Sequence, residues 1–274
     1  MPCYRAAQPL NSILQPRDLD LFRALARGPL TVHQIQRIST TFSLPYPSVR
    51  RLQRRLRILT GDGLLRRHWY ATPGPGAVAY YTLSLTAERI VTGDALPRIW
   101  RPIGISRQNH VRCLQDFLVH TFSEAFRVGI EVTDFAAEDT LELAVGERKV
   151  RPDAAFSLIG VGLPSRRYYI EIDNGTEPVR SDKRRDSFEK KLLTYEALRD
   201  SGERFRVLGV VTTSQARTNH LLTLAAAIAR DSGRTLFYAI HIADYLAAED
   251  VLRKQVFRDH RGRVVSLMPS LAPR

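Results

Sequence analysis

The apolar positions in the first quarter of the chain recur with the spacing of amphipathic helices. The stretch DLDLFRALARG predicts a first helix that starts at Asp18 and ends at Gly28, and residues 31–38 predict a second. The stretch PYPSVRRLQRRLRILTGDGLLRR (45–67) contains a third predicted helix, because four of its apolar side chains fall on one helical face. These side chains are Val49, Leu52, Leu56 and Leu59. The pattern therefore indicates three short helices that share a core.

The polar face of the third predicted helix is rich in arginine. Ser48 precedes the apolar stripe and is the expected N-cap, while Gly61 and Gly63 mark the expected end. The arginines that lie away from the stripe are Arg50, Arg51, Arg54, Arg55 and Arg57. This helix combines one face for packing with one strongly basic face.

Two β-prone runs, LLRRHWY and AVAYYTL, flank the TPGPG segment at 72–76. A connection rich in Gly and Pro between two such runs predicts a β-hairpin. Three helices followed by a hairpin is the order of the winged helix-turn-helix domain, and residues 12–95 resemble that family. The progression from Gly63-Leu64-Leu65 through a wing to Leu85-Thr86 adds to the resemblance.

This resemblance implies binding of double-stranded DNA. An α-helix fits the major groove, where exposed side chains reach base edges and phosphates. The wing would lie beside the DNA backbone. The predicted DNA-binding residues are Ser48, Arg50, Arg51, Arg54 and Arg55 on the third helix and Arg66, Arg67 and His68 on the wing. The alternative is a solvated basic helix on a domain that binds protein.

A second pattern begins after TGDALPRIWRPIG (92–104), where Pro and Gly mark the predicted domain linker. A long amphipathic helix is predicted from residue 106, and β-prone runs alternate with helices after it. The predicted strands are 130–135, 141–145, 150–159, 167–173, 205–213 and 235–241, and the later helices are 183–200, one that ends at Gly233, and IADYLAAEDVL. This order indicates an α/β domain over residues 105–260, a mixed sheet flanked by helices, separate from the N-terminal α+β domain.

The charge distribution points to a polyanionic partner. The chain has 274 residues, a formal net charge of +13 and a pI of about 10.2. Residues 1–101 hold 15 of the Lys+Arg residues but only five of the Asp+Glu residues. Such a balance favours nucleic acid, which the N-terminal domain would meet most strongly.

Neither cysteine nor histidine spacing indicates a metal site. Cys3 and Cys113 are too few for a disulfide framework or a four-thiolate zinc site. His110 and His120, on the long helix, have no acidic partners in register and are expected to be structural. The start MPCYRAAQPL lacks a secretory pattern, and no stretch approaches the roughly 20 apolar residues of a membrane span. We expect a cytoplasmic protein with no membrane partner.

Candidate chemistry lies in the run YYIEIDNGT (168–176). Side chains alternate along a strand, so Glu171 and Asp173 share one face at the end of an apolar strand. Asp153 begins an earlier strand, and pairing of the strands would bring three carboxylates to one sheet edge. Like charges repel there, and a divalent cation relieves the repulsion. The pattern predicts Mg²⁺ or Mn²⁺ held by Asp153, Glu171 and Asp173, as suits phosphodiester cleavage.

The motifs RPDAAF, YYIEIDNGT and KLLTY, in this order, resemble the PD-(D/E)XK nuclease superfamily. More narrowly they resemble the replication-relaxation family of plasmids and other mobile elements, over most of the chain up to residue 240. The resemblance implies that Asp153 and Glu171 hold the metal ion. Where the superfamily has a lysine two residues after the glutamate, this chain has Asp173.

Lys191 is the expected substitute for the missing lysine. In DSFEKKLLTYEALRD (186–200), Phe188, Leu192, Tyr195 and Leu198 face inward, and Lys191 lies at the edge of that face. From there its ammonium is expected to reach Glu171 or Asp173 and to stabilise developing charge. The alternative is a lysine that extends along its stem into solvent.

Two functions are consistent with these residues. The first is a metal-dependent DNA endonuclease of a mobile element, directed by the winged helix, with Asp153, Glu171, Asp173 and Lys191 as catalytic residues. The second is a non-catalytic DNA-binding protein of replication, mobilisation or transcription control, with a nuclease-like scaffold domain. A transposase-like end-cutting subunit would share the same site. Double-stranded DNA is the common partner, and a homodimer or a mobile-element partner protein is left open.

Overall fold

The structure is a computed structural model, and it describes residues 14–71, 77–93, 98–176, 178–179, 187–230 and 235–268. The chain divides into two compact units, one up to Gln108 and one from Asn109 onward. The predicted TPGPG turn at 72–76 and the predicted helix end at Gly233 lie outside the described residues.

The N-terminal unit begins with three helices and continues with a hairpin. Its elements are α1 (Pro16–Ala26), β1 (Leu30–Thr31), α2 (Val32–Ile38), α3 (Val49–Gly61), β2 (Leu65–Trp69), β3 (Ala79–Leu83) and α4 (Leu85–Thr92). The three strands form an antiparallel sheet in the order β1-β3-β2. The three predicted helices and both predicted hairpin strands are therefore present.

Local capping explains where these helices begin. The Ser48 hydroxyl accepts a hydrogen bond from the Arg51 backbone N–H, which confirms Ser48 as the N-cap of α3. The first helix starts at Pro16, two residues before the predicted position, because the Asp18 carboxylate accepts from the Gln15 backbone N–H, at 2.6 Å. Asp18 thus lies inside the first turn of α1 and satisfies the backbone N–H that precedes it.

The apolar stripe of α3 forms part of the core of this unit. Leu52, Leu56 and Leu59 are fully buried, as their spacing predicts. The sequence pattern did not predict β1 or α4. A strand of two residues such as β1 is too short for alternation to be visible, and it is fixed only by pairing with β3.

The C-terminal unit is built on a mixed sheet. Its elements are α5 (Ile105–Arg127, which spans the division), β4 (Glu131–Ala137), β5 (Leu143–Val145), β6 (Arg148–Val150), β7 (Ala154–Ile159), β8 (Arg166–Asp173), α6 (Phe188–Asp200), β9 (Phe205–Val211), α7 (Gln215–Ile228), β10 (Phe237–His241), α8 (Ile242–Ala247), β11 (Phe257–Asp259) and β12 (Val264–Val265). The large sheet has the order β12-β11-β10-β9-β8-β7-β4, and β5 pairs with β6. The strands β8, β9 and β10 are parallel neighbours, and the other pairs are antiparallel.

Helices cover both faces of this sheet, so the predicted mixed α/β architecture is confirmed. On one face, Tyr195 of α6 stacks against Tyr169 of β8, with ring centroids 5.9 Å apart. On the other face, Phe122 of α5 packs edge-on against Phe156 of β7, at 5.7 Å. Phe156 lies opposite Tyr168 of β8, so the neighbouring residues Tyr168 and Tyr169 face opposite helical layers, as the alternation in the sequence predicts.

Several element boundaries of the C-terminal unit differ from the prediction. The expected strand 150–159 is interrupted at Pro152, which lacks a backbone N–H, and β7 begins only after Asp153. The last helix ends at Ala247 because the backbone of Ala248 is extended, with a ψ of 138°. Helix α7 begins six residues before the predicted apolar run, capped by the Ser214 hydroxyl.

Two further expectations can be compared with the described residues. Of the helices in these ranges, none has both the length and the apolar character needed to cross a membrane. Cys113 carries a free thiol, and burial raises its pKa to about 11.

Candidate functional site

The pairing of β7 with β8 places Asp153 next to Glu171. Ala154 lies opposite Ile170 in the antiparallel register, so Asp153 lies just beyond it at the strand end. The Asp153 backbone N–H donates to the Ile170 carbonyl, and its Oδ2 accepts from the Ile172 N–H at 2.6 Å. Both carboxylates are buried, with exposed fractions of 7% for Asp153 and 2% for Glu171. The two carboxylates therefore lie on adjacent segments of the chain, Asp153 just before β7 and Glu171 on β8.

Helix α6 supplies two partners to Glu171. The Lys191 ammonium lies 2.9 Å from Glu171 Oε2, and the Tyr195 hydroxyl donates to Oε1 at 2.6 Å. Residues four apart in a helix lie on one face, so both side chains reach the same carboxylate. The prediction that Lys191 reaches Glu171 or Asp173 is therefore confirmed for Glu171, although 22% of the lysine side chain remains exposed.

The environment of Glu171 makes its charged form costly. Burial raises its pKa, attraction to Lys191 lowers it, and repulsion from Asp153 raises it, with a net result of about 7. A carboxyl group of this kind changes its protonation near neutral pH. Such shifted groups concentrate at functional sites, although structural ion pairs also produce them.

His110, which was expected to be structural, contacts the acidic pair. Its Nε2 lies 3.0 Å from Asp153 Oδ1, so α5 contributes a partner to the acidic pair. The prediction that His110 is merely structural considered only partners on its own helix, whereas Asp153 is far away in the chain. His120, by contrast, is buried against the edge of Tyr245, with ring centroids 4.9 Å apart.

Asp173 does not join the acidic pair. Its Oδ2 and Oδ1 accept from Arg217 of α7, at 2.7 and 3.0 Å, and Oδ1 also accepts from the Gly175 N–H. Gly175 has a positive φ of 71°, which confirms the turn predicted for Asn174-Gly175. Asp173 therefore anchors α7 and the turn, and α7 was predicted to begin too late to include Arg217.

The predicted cluster of three carboxylates is accordingly wrong. Among the residues that the structure describes, no three His, Cys, Asp or Glu side chains are placed to hold one metal ion. Mg²⁺ is commonly held by only one or two carboxylates, together with water and substrate phosphates. Asp153 and Glu171 fit that smaller donor set, since they repel each other and present hard oxygen ligands. Asp173 is instead bound through both of its oxygens by the single guanidinium group of Arg217.

The basic face of α3 is solvent-exposed except for one arginine. Arg50, Arg54 and Arg57 follow one another at helical spacing and are exposed, and Arg51 is exposed beside them. Arg55 instead donates two hydrogen bonds to the buried Asp18, at 3.0 and 2.5 Å, and only 11% of its side chain is exposed. The prediction that Arg55 contacts DNA therefore has no support in this geometry.

The edge strand β2 presents its own exposed basic residues. Arg66 and Arg67 are exposed, and the Arg67 guanidinium lies 4.1 Å from the centre of the half-exposed Trp69 ring. His68 is less accessible, since its ring stacks on Tyr80 and contacts the Thr82 hydroxyl at 3.2 Å. Burial and, to a smaller extent, the nearby Arg66 lower the pKa of His68. The lowered pKa favours the neutral ring, which attracts a phosphate less strongly than a charged ring does.

These features define a protein of two units, one with a basic helical face and one with a buried acidic pair on a mixed α/β sheet. The sequence model of the replication-relaxation family matches residues 24–222, and the chain belongs to that family. No curated protein and no solved structure matches the chain significantly.

Proposed function

We propose that the protein acts in the replication of a mobile element and binds double-stranded DNA through its N-terminal unit. One observation carries the proposal: Arg50, Arg54 and Arg57 form an exposed basic stripe on α3, and the leucines on the opposite face of this helix are buried. Membership of the replication-relaxation family supports the biological setting.

We infer that this unit is a winged helix, because three helices followed by a hairpin are the element order of such domains. In such a domain α3 enters the major groove and the β2–β3 hairpin follows the backbone. Guanidinium groups bind phosphates and guanine edges in bidentate geometry, so the stripe on α3 suits both kinds of contact. The exposed Arg66 and Arg67 extend the basic surface along β2. The anionic backbone of DNA is the polymer that this surface complements.

Fluorescence anisotropy with a duplex of 30 base pairs at several salt concentrations tests DNA binding. Replacing Arg50, Arg54 and Arg57 together by Gln should weaken binding about 10- to 100-fold near physiological salt. The slope of log affinity against log salt should fall by about 0.9 for each lost phosphate contact. A variant with Arg23, Arg89 and Arg101 replaced by Gln removes the same charge from exposed positions outside α3.

Equal weakening by the two triple variants would mean that only net charge matters and would contradict a role for α3. The same conclusion would follow if the α3 variant bound DNA like the native chain. A stronger loss in the α3 variant, with an unchanged slope in the control, would support the proposed interface.

We propose phosphodiester cleavage as a second function, located at Asp153 and Glu171. The observation that favours it is the buried pair of carboxylates with the Lys191 ammonium beside it. His110 and the Ile172 N–H orient Asp153, while Lys191 and Tyr195 orient Glu171. Mg²⁺ held by Asp153 and Glu171 would supply the charge that activates water and stabilises the transition state. Lys191, partly exposed, is placed to stabilise charge on a phosphate.

A non-catalytic role for the same unit has its own support. All four oxygens of Asp153 and Glu171 already have a donor or cation from the protein as partner. A site with every oxygen satisfied is also what a structural network requires. A plasmid-nicking assay with Glu171→Gln separates the two functions.

A further inference from the structure

A cavity lined by arginine lies at the end of the C-terminal sheet where β8 and β9 begin. Its volume is about 630 Å³, and its basic lining residues are Arg166, Arg167, Arg199, Arg204, Arg206 and Arg263. Glu203 is the acidic residue in its lining. Arg166 and Glu171 are five residues apart on β8, which corresponds to roughly 17 Å along a strand. The cavity is therefore distinct from the acidic site.

Four different parts of the unit converge on this cavity. The parallel register places Arg206 of β9 beside Tyr168 of β8, and alternation puts Arg166 on the same face. Arg199 comes from the last turn of α6, and Arg263 directly precedes β12. Convergence of arginines from separate elements requires the folded sheet and is not visible as a charge run in the sequence.

The structure fixes several of these arginines without neutralising them. Arg166 donates to the Leu267 carbonyl at 3.0 Å, and Arg167 donates to the Asp134 carbonyl at 2.5 Å. Arg206 donates to the Phe205 carbonyl and the Tyr238 hydroxyl, at 3.0 and 3.3 Å.

These acceptors are neutral, so they satisfy N–H groups and hold the side chains but leave the positive charges in place. Within the described ranges, no carboxylate pairs with Arg166, Arg167 or Arg206. Arg263 does pair with a carboxylate, that of Asp259, at 2.8 Å.

The remaining charge selects the class of ligand. Several guanidinium groups around one cavity repel one another, and an anion with more than one phosphate relieves that repulsion. The planar guanidinium fork binds phosphate oxygens in pairs. The aromatic side chains here, Phe205 and Tyr238, are buried and offer no open ring face on which a base could stack. A nucleotide would therefore be recognised by its phosphate groups and not by its base.

We propose that this cavity binds a ligand with two or more linked phosphate groups. Two sources share this chemistry, namely a small polyphosphate such as that of a nucleoside triphosphate, and the phosphodiester backbone of DNA. The proposal does not depend on DNA binding by α3 or on cleavage at Glu171, because a small anion tests it directly.

Isothermal titration of the full chain with inorganic tripolyphosphate is the first test. Replacing Arg204 and Arg206 together by Gln should weaken binding at least about 10-fold, since two of the converging charges are lost. The matched control replaces Arg253 and Arg258 by Gln, two exposed arginines of the same unit that do not line this cavity. Binding by the control should stay within about 2-fold of the native value.

Glu203→Gln separates a true binding effect from damage to the fold. Removing the carboxylate from the lining should strengthen tripolyphosphate binding by about 2- to 5-fold. A damaged fold would not produce a gain in affinity. Glu203 is exposed, so the substitution leaves no buried partner unpaired.

A parallel binding measurement with duplex DNA distinguishes a small polyphosphate from the DNA backbone as the ligand. If the backbone occupies the cavity, Arg204→Gln with Arg206→Gln should also lower the salt slope of DNA binding by about 2, in addition to any effect of α3. If only tripolyphosphate binding weakens, the ligand is a small polyphosphate. The proposal is overturned if neither ligand responds to these substitutions, or if the control pair weakens binding equally.

Discussion

Arg55→Ala should lower the free energy of unfolding of the N-terminal unit by about 3–5 kcal/mol, whereas Arg54→Ala should change it by less than about 0.5 kcal/mol. The two residues are neighbours in α3, but their surroundings differ. Arg55 pairs with Asp18, whose side chain is completely buried, while Arg54 is exposed. Loss of Arg55 leaves a buried carboxylate without its cation, and loss of Arg54 leaves nothing unpaired.

Denaturant unfolding followed by tryptophan fluorescence measures this difference directly. Both tryptophans of the chain, Trp69 and Trp100, belong to the N-terminal unit, so their emission reports on that unit. Combining Asp18→Asn with Arg55→Gln should recover part of the loss, because the buried charge is removed together with its partner. Equal stability of the Arg54 and Arg55 variants would contradict the assignment of Arg55 to the core ion pair.

The same pair of variants should give the opposite order in DNA binding. Arg54 lies in the exposed stripe with Arg50 and Arg57, so its loss weakens a contact without harming the fold. Arg55 is held by Asp18, and the hydrogen bonds between the two side chains raise the pKa of Arg55 above its ordinary value. One arginine of the predicted interface thus stabilises the unit that presents the others.

The different surroundings of Arg54 and Arg55 show what a helical pattern can and cannot predict. The spacing of Leu52, Leu56 and Leu59 correctly separates the packed face from the polar face. The spacing cannot show which polar residue at the edge of the packed face meets a charge from another helix. Only the folded unit brings Asp18 of α1 beside Arg55 of α3.

At the acidic site, too, the sequence predicted some contacts and not others. Strand alternation and the position of Lys191 on α6 were enough to predict that Lys191 reaches Glu171 or Asp173, and it contacts Glu171. Alternation also placed Asp173 on the same face as Glu171, but it could not show that Arg217 of α7 would take both Asp173 oxygens. His110 was missed for the same reason, because its partner Asp153 becomes its neighbour only when α5 packs on the sheet. Contacts between distant elements are the part that a local pattern does not contain.

Glu171→Gln should reduce DNA cleavage at least about 100-fold if the C-terminal unit is a nuclease, because an amide cannot provide the anionic oxygen of the site. Nicking of supercoiled plasmid in Mg²⁺ or Mn²⁺ measures this loss. Glu131→Gln is the matched control, since Glu131 is exposed on β4 and should retain full activity. A native chain that cuts in neither metal would favour the scaffold function instead.

The same substitution should stabilise the protein above neutral pH, which separates a lost activity from a lost fold. The pKa of Glu171 is about 7 in the folded chain, above its ordinary value of 4.5. Between these values the folded state holds a proton that the unfolded state releases, so native stability falls as pH rises from 4.5 to 7. At about 1.4 kcal/mol for each pKa unit, the total loss is about 3 kcal/mol and is complete above pH 7.

Glutamine mimics the protonated glutamate and lacks this dependence. The stability of Glu171→Gln relative to the native chain should therefore rise by about 3 kcal/mol between pH 4.5 and 7, as thermal or denaturant unfolding at several pH values would show. A difference that does not change with pH would contradict the buried, repelled state of Glu171. Cleavage lost together with stability gained would identify Glu171 as a residue whose buried charge costs stability and is kept for function. The same pH dependence in a chain that never cuts DNA would make it a feature of the scaffold alone.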